Sequence, residues 1–387
     1  MKPVMIVVLV DALGWTLAGH DPAFAPRLTE RRPLGTVLGF SSGALPTAFT
    51  GRPAREHGRW LMYRRAATDS VFRGFQWLRW LPARLRESWR LGQWLTGLVA
   101  RRGVRGYFNL YEVPRAELAE FDLPEREDIF QPGGLPGDSL WDTLVARGVR
   151  WRGWNWRTSE ADACREALAE LERGEHDLLF VYSATLDAQL HREGSRGASV
   201  RASLGGWSRW FDDAAAAAVR GGREPWLYLC SDHGMVDVTV TVDVMGRLAG
   251  LPVQRGRDYV AFFDSTFARF WWRRPGVRDS VRAALAAEPH GSWLEAEELA
   301  RHGADFADHR YGDDLFLLAP GALMVPSFMG RSAVAAMHGY DPEHPDMAGV
   351  LASNRPLPAD VTHLSHLRGW FEHELGALQA HGRPGVA

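Results

Sequence analysis

Three short runs of apolar residues predict buried β-strands. They span residues 4–10, 178–182 and 226–230 and contain almost no polar positions. Continuous apolar runs of this length are typical of parallel strands covered on both faces, whereas half-exposed strands alternate apolar and polar residues. Stretches with helical character lie between or after them, at 139–147, 159–173, 207–220 and 360–380. This alternation predicts an α/β fold, with a mostly parallel sheet sandwiched by helices.

Two segments interrupt the α/β pattern. Residues 59–136 include a dense Arg/Trp region, and residues 256–313 mix short strand-like and helical pieces. A chain of 387 residues is long enough for one large α/β domain that carries insertions. We therefore predict a single catalytic domain over 1–387, with 59–136 as a cap or lid and 256–313 as a small subdomain.

Composition excludes several classes of protein. The two cysteines, Cys164 and Cys230, lie far apart, which argues against a disulfide scaffold or a cysteine zinc finger. The run 4–10 is too short to span a bilayer or to act as a secretory signal, so we expect a cytoplasmic protein. The net charge of −2 argues against general nucleic-acid binding.

An aspartate follows each apolar run within a few residues. These are Asp11, Asp187 and Asp232, and two of them have histidine neighbours, His191 and His233. Ligands of open α/β sheets bind at the carboxyl ends of the strands, where converging carboxylates repel each other unless a cation lies among them. One such residue alone is more often a helix cap, a surface pair or a turn. The set together predicts a Zn²⁺-type divalent metal site.

A nucleophile is available in the segment 39–58. Ser41 and Ser42 open a short helix-like stretch that Gly51 closes. Either serine could simply cap this helix. Alternatively, a serine hydroxyl activated by metal contact attacks an anionic group held at the helix N-terminus. The residues alone leave the choice between the two serines open.

The order of these motifs resembles the alkaline phosphatase superfamily, and within it the type I phosphodiesterase/nucleotide pyrophosphatase branch. The resemblance covers nearly the whole chain and is carried by Asp11, Ser41, Thr50-Gly51, His57-Gly58, Asp187/His191, Asp232-His233 and His338-Gly339-Tyr340-Asp341. It implies an alkaline phosphatase-like fold. It also implies that Ser41, nine residues before Thr50-Gly51, is the nucleophile.

The resemblance further implies two divalent metal ions, Zn²⁺ or alternatively Mn²⁺. One ion would be held by Asp11, Ser41, Asp232 and His233, and the other by Asp187, His191 and His338. His338 enters only through the resemblance. Ser41 would attack phosphorus to form a phosphoseryl intermediate, which water then hydrolyses.

The substrate-binding residues depart from the family pattern. Where the nucleotide pyrophosphatases carry an asparagine that contacts a phosphoryl oxygen, this chain has Met62, which cannot donate a hydrogen bond. We expect Arg59, Arg64 or Arg65 to replace it as a phosphate clamp. Ser42 is the remaining candidate for substrate binding.

The resulting functional hypothesis is a two-metal hydrolase of a small-molecule phosphodiester or pyrophosphate. A phosphomonoesterase or phosphonate hydrolase of the same superfamily is an alternative, and a non-catalytic metal-binding scaffold is an alternative of another class. Sulfatases are disfavoured because Gly43 and Leu45 stand where their nucleophile motif requires proline and arginine.

The segment 59–105 is strongly basic and aromatic. It holds eleven arginines against Asp69 and Glu87, a local charge of +9, together with five tryptophans. Three interpretations stay open. The segment is a packed helical cap, a substrate lid, or an amphipathic segment that makes peripheral contact with anionic lipid.

Overall fold

The computed structural model describes residues 1–381 and divides the chain into two compact units. Unit 1 comprises Met1–Arg52, Phe130–Asp237 and the described part of Val334–Ala387, and unit 2 comprises Pro53–Ile129 and Val238–Ala333. Most of the predicted insertion 59–136 and all of 256–313 belong to unit 2. The last six positions of the predicted domain, 382–387, lie outside the described residues. The assignment of one catalytic domain with two insertions stays a prediction.

Unit 1 is built on a six-stranded sheet. Its strands are β1 (Lys2–Val10), β2 (Glu30–Leu34), β3 (Trp151–Trp154), β4 (Leu178–Ser183), β5 (Arg223–Cys230) and β6 (Gly349–Ser353). Their spatial order is β2-β6-β5-β1-β4-β3. β1 pairs in parallel with both β4 and β5, β3 pairs in parallel with β4, and β6 runs antiparallel to β5 and β2. The mostly parallel sheet is confirmed, and the three predicted strands are neighbours at its centre.

Helices cover both faces of this sheet. They are α1 (Ser41–Thr50), α2 (Leu140–Ala146), α3 (Glu160–Arg173), α4 (Thr185–Glu193), α5 (Ala198–Arg220) and α6 (Leu367–His381). Ile6 and Val8 of β1 share one core cluster with buried residues of α3 and α5. On other strands, the ring of Phe180 contacts α1 and α2, and the ring of Tyr228 contacts α6. Burial on both faces explains why the strands are continuous apolar runs.

Two helices differ from their predicted bounds. α5 begins at Ala198 rather than at 207 because Val200 packs into the core and outweighs the low helix propensity of Gly205 and Gly206. α6 begins at Leu367 rather than at 360, after a 3₁₀ turn. The remaining short elements of unit 1 are a π-helix at Trp15–Gly19, 3₁₀ helices at Pro345–Met347 and Leu364–His366, and a ribbon of Val236–Asp237 with Ala336–Met337.

Unit 2 has its own sheet and its own core. Four antiparallel strands lie in the order Tyr259–Phe263, Phe267–Trp272, Asp314–Leu318 and Gly291–Leu294. Two small pairs join Val240–Val242 to Ala322–Met324 and Arg64–Arg65 to Phe121–Asp122. Its helices are Ala54–His57, Phe75–Trp80, Ala83–Arg86, Trp89–Arg101, Leu118–Glu120, Val244–Ala249, Val277–Ala286 and Ala296–Arg301. Aromatic rings, including those of Tyr63 and Phe262, fill the core.

Among residues 1–381, no helix has both the length and the apolar character that a membrane span requires.

Candidate metal centre

The order of the strands brings three aspartates to one edge of the unit 1 sheet. Asp11 directly follows β1, Asp232 lies two residues beyond β5, and Asp187 lies in the first turn of α4, which follows β4. Because β5, β1 and β4 are parallel neighbours, their carboxyl ends lie side by side. The sheet therefore concentrates negative charge at this edge.

The first cluster consists of Asp11, Asp232 and His233, all of which are buried. Nε2 of His233 lies 3.4 Å from Oδ1 of Asp11 and 3.3 Å from Oδ2 of Asp232. Oγ of Ser41, the first residue of α1, lies 2.9 Å from the same Nε2. A serine hydroxyl thus borders a set of three possible metal ligands.

The second cluster consists of Asp187, His191 and His338. Asp187 and His191 are four residues apart on α4 and share one face, with Nε2 of His191 3.2 Å from Oδ1 of Asp187. Nε2 of His338 lies 3.6 Å from the same oxygen. The ring of His338 stacks on that of His233 with centroids 3.9 Å apart, so the two clusters adjoin each other.

Six of the seven residues predicted to bind metal form these two clusters, and the seventh, Ser41, borders the first, in the same grouping that the resemblance implied. Their role as ligands stays a prediction. His338 reaches the site because the ribbon Ala336–Met337 pairs with Val236–Asp237, just beyond His233. A strand of two residues has no hydrophobic pattern of its own, so sequence periodicity could not have located it.

The carboxylates at this edge of the sheet have the properties expected of cation ligands. One buried oxygen in each of Asp11, Asp187 and Asp232 accepts no hydrogen bond from any described residue. Burial, together with the charges of Asp232 and Asp187, raises the pKa of Asp11 well above its ordinary value. A buried acceptor without a partner is costly, and a divalent ion would satisfy it. Oxygen and imidazole ligands without cysteine suit Zn²⁺ or Mn²⁺.

Backbone contacts orient two of the histidine rings. Nδ1 of His191 donates to the carbonyl of Ala336 at 2.8 Å, and Nδ1 of His233 donates to the carbonyl of Gly234 at 3.0 Å. Each ring therefore directs Nε2 towards the carboxylates, which is the usual arrangement of a metal-binding histidine.

The protonation of the second cluster follows from its surroundings. Burial, and then the proximity of His233 and His191, lowers the pKa of His338 well below its ordinary value, which keeps this imidazole neutral. Burial also lowers the pKa of His191, but the negative charge of Asp187 and the hydrogen bond to the carbonyl of Ala336 outweigh it and raise the pKa overall. The carboxylate of Asp187 thus favours the protonated form of His191.

Two supporting residues were missed by the sequence analysis. The hydroxyl of Tyr182, at the end of β4, donates to Oδ2 of Asp11 at 2.6 Å and leaves Oδ1 facing His233. The backbone N–H of Ala12 donates to Oδ1 of Asp232 at 3.3 Å from a left-handed conformation with φ of 61°. The polar tip of Tyr182 at the carboxyl end of an apolar run was the signal that could have found it.

Glycines follow two of the site histidines for steric reasons. A Cβ on Gly234 would lie 2.0 Å from the carbonyl oxygen of Asp346. Gly339 has φ of +84°, and a Cβ there would lie 2.4 Å from the ring of Phe40. That ring also contacts the edge of the His338 ring. The His-Gly pairs therefore reflect close approaches around the histidines.

Helix α1 places Ser41 at its N-terminus. Phe40 before it is extended, and the helix ends at Gly51 in the left-handed conformation with φ of 69°. The Thr50 hydroxyl donates to the carbonyl of Pro46 at 2.7 Å. The Thr50-Gly51 motif thus ends the helix that presents the serine, and the positive end of the helix dipole lies beside Ser41. Ser42 is the second residue of the same helix.

The predicted phosphate-binding arginines lie in unit 2, where they have structural partners. Arg64 makes two hydrogen bonds to the buried carboxylate of Asp122, and Arg65 donates to Oε2 of Glu120 at 2.7 Å. Arg59 is buried, and burial lowers its pKa. Met62 packs against the unit 2 core. The assignment of Ser42, Arg59, Arg64 and Arg65 to substrate binding stays a prediction.

Asp11→Asn should change the stability of the protein in opposite directions with and without metal. Because the pKa of Asp11 is raised on folding, its ionised form costs stability as the pH rises. We expect the metal-free variant to melt about 2–4 °C above the wild type near about pH 8, with the difference vanishing in mild acid. In Zn²⁺ the wild type should be the more stable of the two. Thermal unfolding in chelator and in Zn²⁺ measures this.

The exposed Asp212, which pairs with Arg27 at the surface, provides the control for this experiment. Asp212→Asn should leave the melting temperature unchanged under both conditions. A metal-free Asp11→Asn protein that melts below the wild type near about pH 8 would show that the Asp11 carboxylate is not destabilising.

Tyr182→Phe should weaken metal binding without unfolding the protein. The substitution leaves Oδ2 of Asp11 without its hydrogen-bond donor, and loss of such a support typically lowers metal affinity about 10–100-fold. Competition with a chromophoric chelator measures the affinity. Tyr228→Phe is the matched control, because this buried tyrosine on β5 donates instead to Glu374. Equal affinities for the two variants would contradict a supporting role for Tyr182.

Comparison with known proteins gives similarity at the level of structure. No family model matches the chain, and no curated protein matches it in sequence. Murine ectonucleotide pyrophosphatase/phosphodiesterase 5 is similar with a TM-score of 0.65 and 14% identity, over 96% of this chain and 95% of that chain. The human protein of the same name gives a TM-score of 0.66 and 14% identity over 97% and 95%. An inactive murine variant in complex with AMP gives 0.64 and 15% over 97% and 95%. The predicted resemblance is confirmed in fold: the chain has the alkaline phosphatase-like fold of these proteins.

Proposed function

We propose that this chain is a metal-dependent hydrolase that cleaves a phosphodiester or pyrophosphate bond of a small molecule, with Ser41 as nucleophile. The observation that carries the proposal is the position of Oγ of Ser41, 2.9 Å from Nε2 of His233 at the border of the first cluster. The names of the structurally similar proteins, and the AMP bound to one of them, support a nucleotide-like substrate.

Two divalent ions, Zn²⁺ or alternatively Mn²⁺, fit the two clusters. Asp11, Asp232 and His233 with Ser41 would hold one ion, and Asp187, His191 and His338 would hold the other. When bound, such ions supply Lewis acidity, which favours the alkoxide form of Ser41 and offsets charge on phosphoryl oxygens.

The chain's own residues perform the remaining tasks. Nδ1 of His233 donates to the carbonyl of Gly234, which leaves Nε2, 2.9 Å from Oγ of Ser41, free to bind an ion beside that hydroxyl. The N-terminus of α1 favours an anionic phosphoryl group at the same place. Oγ of Ser41 attacks phosphorus, so that an O–P bond forms and the bond to the leaving oxygen breaks. Water then cleaves the phosphoseryl ester, which releases phosphate or a phosphomonoester and restores the serine hydroxyl.

The distance from Ser41 to His233 supports the choice of Ser41 as the nucleophile. Ser42 follows on the same helix and stays a candidate for substrate binding. Location in the cytoplasm stays a prediction from the sequence.

Ser41→Ala should abolish turnover while the protein keeps about two metal ions per chain. Loss of a covalent nucleophile lowers kcat/KM by at least about 1,000-fold, because the remaining groups cannot form the intermediate. The Asp and His ligands stay in place, so metal content measured by mass spectrometry should hardly change. Ser42→Ala should have the smaller effect on kcat/KM. A larger loss of kcat/KM in Ser42→Ala than in Ser41→Ala would identify Ser42 as the nucleophile. Full activity of Ser41→Ala would refute the mechanism.

The ratio of aryl phosphodiester to aryl phosphomonoester hydrolysis should exceed one for the Zn²⁺- or Mn²⁺-loaded protein. Turnover of the two nitrophenyl substrates under the same conditions measures it, with the Ser41→Ala protein as the blank. A preference for the monoester would make the chain a phosphomonoesterase. Absence of turnover with both substrates, in protein that binds the metal, would favour the non-catalytic scaffold.

A further inference from the structure

The basic segment of unit 2 exposes an unusual amount of aromatic surface. Trp77, Trp80, Trp89 and Trp94 are between 43% and 79% exposed, and Leu85 is 60% exposed. These five side chains fall within residues 77–94, and we call them together the Trp surface. They are half of the ten exposed large apolar side chains in the described residues. The fifth tryptophan of the segment, Trp60, is fully buried. The packed-cap interpretation therefore holds for Trp60 and not for the other four.

The local helices are packed without the help of these side chains. The helix Trp89–Arg101 buries Gly92, Leu95 and Val99, which recur at helical spacing on one side. Trp89 and Trp94 lie outside this buried stripe. The 3₁₀ helix Phe75–Trp80 likewise buries Phe75 and Leu78 and exposes the two tryptophans between and after them. The exposed rings therefore do not contribute to the packing of the core.

Arginines without ion pairs accompany the exposed rings. Within the described residues, no carboxylate pairs with Arg73, Arg79, Arg84, Arg90 or Arg101. Glu87 is the sole acidic residue between Asp69 and Glu112, and it pairs with Arg86. Elsewhere in unit 2 most arginines pair with carboxylates, as where Arg278 and Arg282 both contact Asp314. The positive charge around the Trp surface is therefore unmatched.

We propose that the Trp surface and its arginines bind the interface of a bilayer that contains anionic phospholipid. Tryptophan side chains favour the headgroup region because the ring is apolar while the indole N–H is polar. Unpaired arginines attract the negative headgroups, and helices with such composition lie in the plane of the interface. The inference goes beyond the proposed function and does not rest on it, because binding is measured without substrate.

Leu85 distinguishes a lipid surface from a nucleic acid as the partner. Single-stranded nucleic acid binds aromatic platforms through base stacking, to which an aliphatic side chain contributes little. An exposed leucine gains free energy from the acyl region of a membrane in the same way as from a protein core. The combination of an exposed leucine with four tryptophans therefore favours lipid.

Flotation of the full-length protein with vesicles tests the proposal. The vesicles are of phosphatidylcholine alone or with one third phosphatidylglycerol, at low and high salt. We expect binding to the anionic vesicles at low salt and weaker binding at high salt or without phosphatidylglycerol. Arg84→Ser/Arg90→Ser should lower the partition coefficient about 30-fold, because each arginine near an anionic surface contributes about fivefold. Trp80→Ser/Trp89→Ser should lower it by at least about 10-fold.

Matched variants in unit 1 separate this surface from general effects of charge and apolarity. Arg196→Ser/Arg209→Ser removes the same charge from exposed positions, and Val145→Ser/Val219→Ser removes exposed apolar side chains. Both should float like the wild type, and circular dichroism should be the same for all variants.

Three outcomes would overturn the proposal. The first is failure of the wild type to float with anionic vesicles at low salt. The second is equal flotation of the Trp80→Ser/Trp89→Ser variant and the wild type. The third is retention of a single-stranded oligonucleotide that depends on the same tryptophans, in protein that does not float, which would assign the surface to nucleic acid.

Discussion

The repulsion among three aspartates at the carboxyl edge of the unit 1 sheet is the constraint on which the site depends. Asp11 and Asp232 are buried, and Asp187 is close enough to raise the pKa of Asp11. Among the described residues, the basic side chains closest to these carboxylates are histidines, and no arginine or lysine pairs with them. The chain has 45 lysine and arginine residues, so the lack of such a partner here is not due to a shortage of basic side chains. Bound cations would compensate this charge, which is why we propose a metal site at this edge rather than a structural ion-pair network.

The rest of unit 1 holds these charges in place against their repulsion. Parallel pairing of β1 with β4 and β5 fixes where each strand ends, and the hydrogen bond from Tyr182 fixes one oxygen of Asp11. Backbone carbonyls hold the rings of His191 and His233. Tyr182, Asp11 and His233 are buried, so these groups have little freedom to rearrange. Contacts within the protein thus hold the side chains in place, which lowers the cost of assembling the site.

The sequence was most informative where burial alone determines the pattern. Strands covered on both faces must be apolar throughout, so β1, β4 and β5 could be identified, and with them the aspartates at their ends. β2 carries Glu30, Arg31 and Arg32 and gave no such signal, because it lies at the edge of the sheet. His338 depends on a two-residue ribbon, a long-range contact that leaves no periodicity in the sequence. The family resemblance predicted His338 as a site residue, which local sequence patterns could not do.

Unit 2 was harder to predict because its core is assembled from two distant parts of the chain. Aromatic residues from 63–123 and from 242–328 pack into one cluster, which the sequence presented as two separate interruptions. Composition also could not separate buried from exposed tryptophans. Trp60 stacks on Phe306 and contacts Tyr311, whereas Trp80 is mostly exposed with the Arg79 guanidinium 5.3 Å from its ring. The distinction depends on tertiary contacts.

Each unit contains charged side chains that lack an arginine, lysine or carboxylate partner among the described residues, and this feature bears on function. In unit 1 the excess is negative, buried and confined to the edge formed by Asp11, Asp187 and Asp232. In unit 2 it is positive and solvent-exposed, and it lies among tryptophans that the core does not use. Most other arginines of the chain pair with carboxylates or donate to backbone carbonyls, as Arg223 does with Asp177 and the carbonyl of Pro3. Stability alone favours compensation of such groups, and in both proposals a partner from outside the chain would supply it. The depth of each position indicates the kind of partner, because a buried carboxylate set admits a small cation and an exposed basic surface admits an extended anionic one.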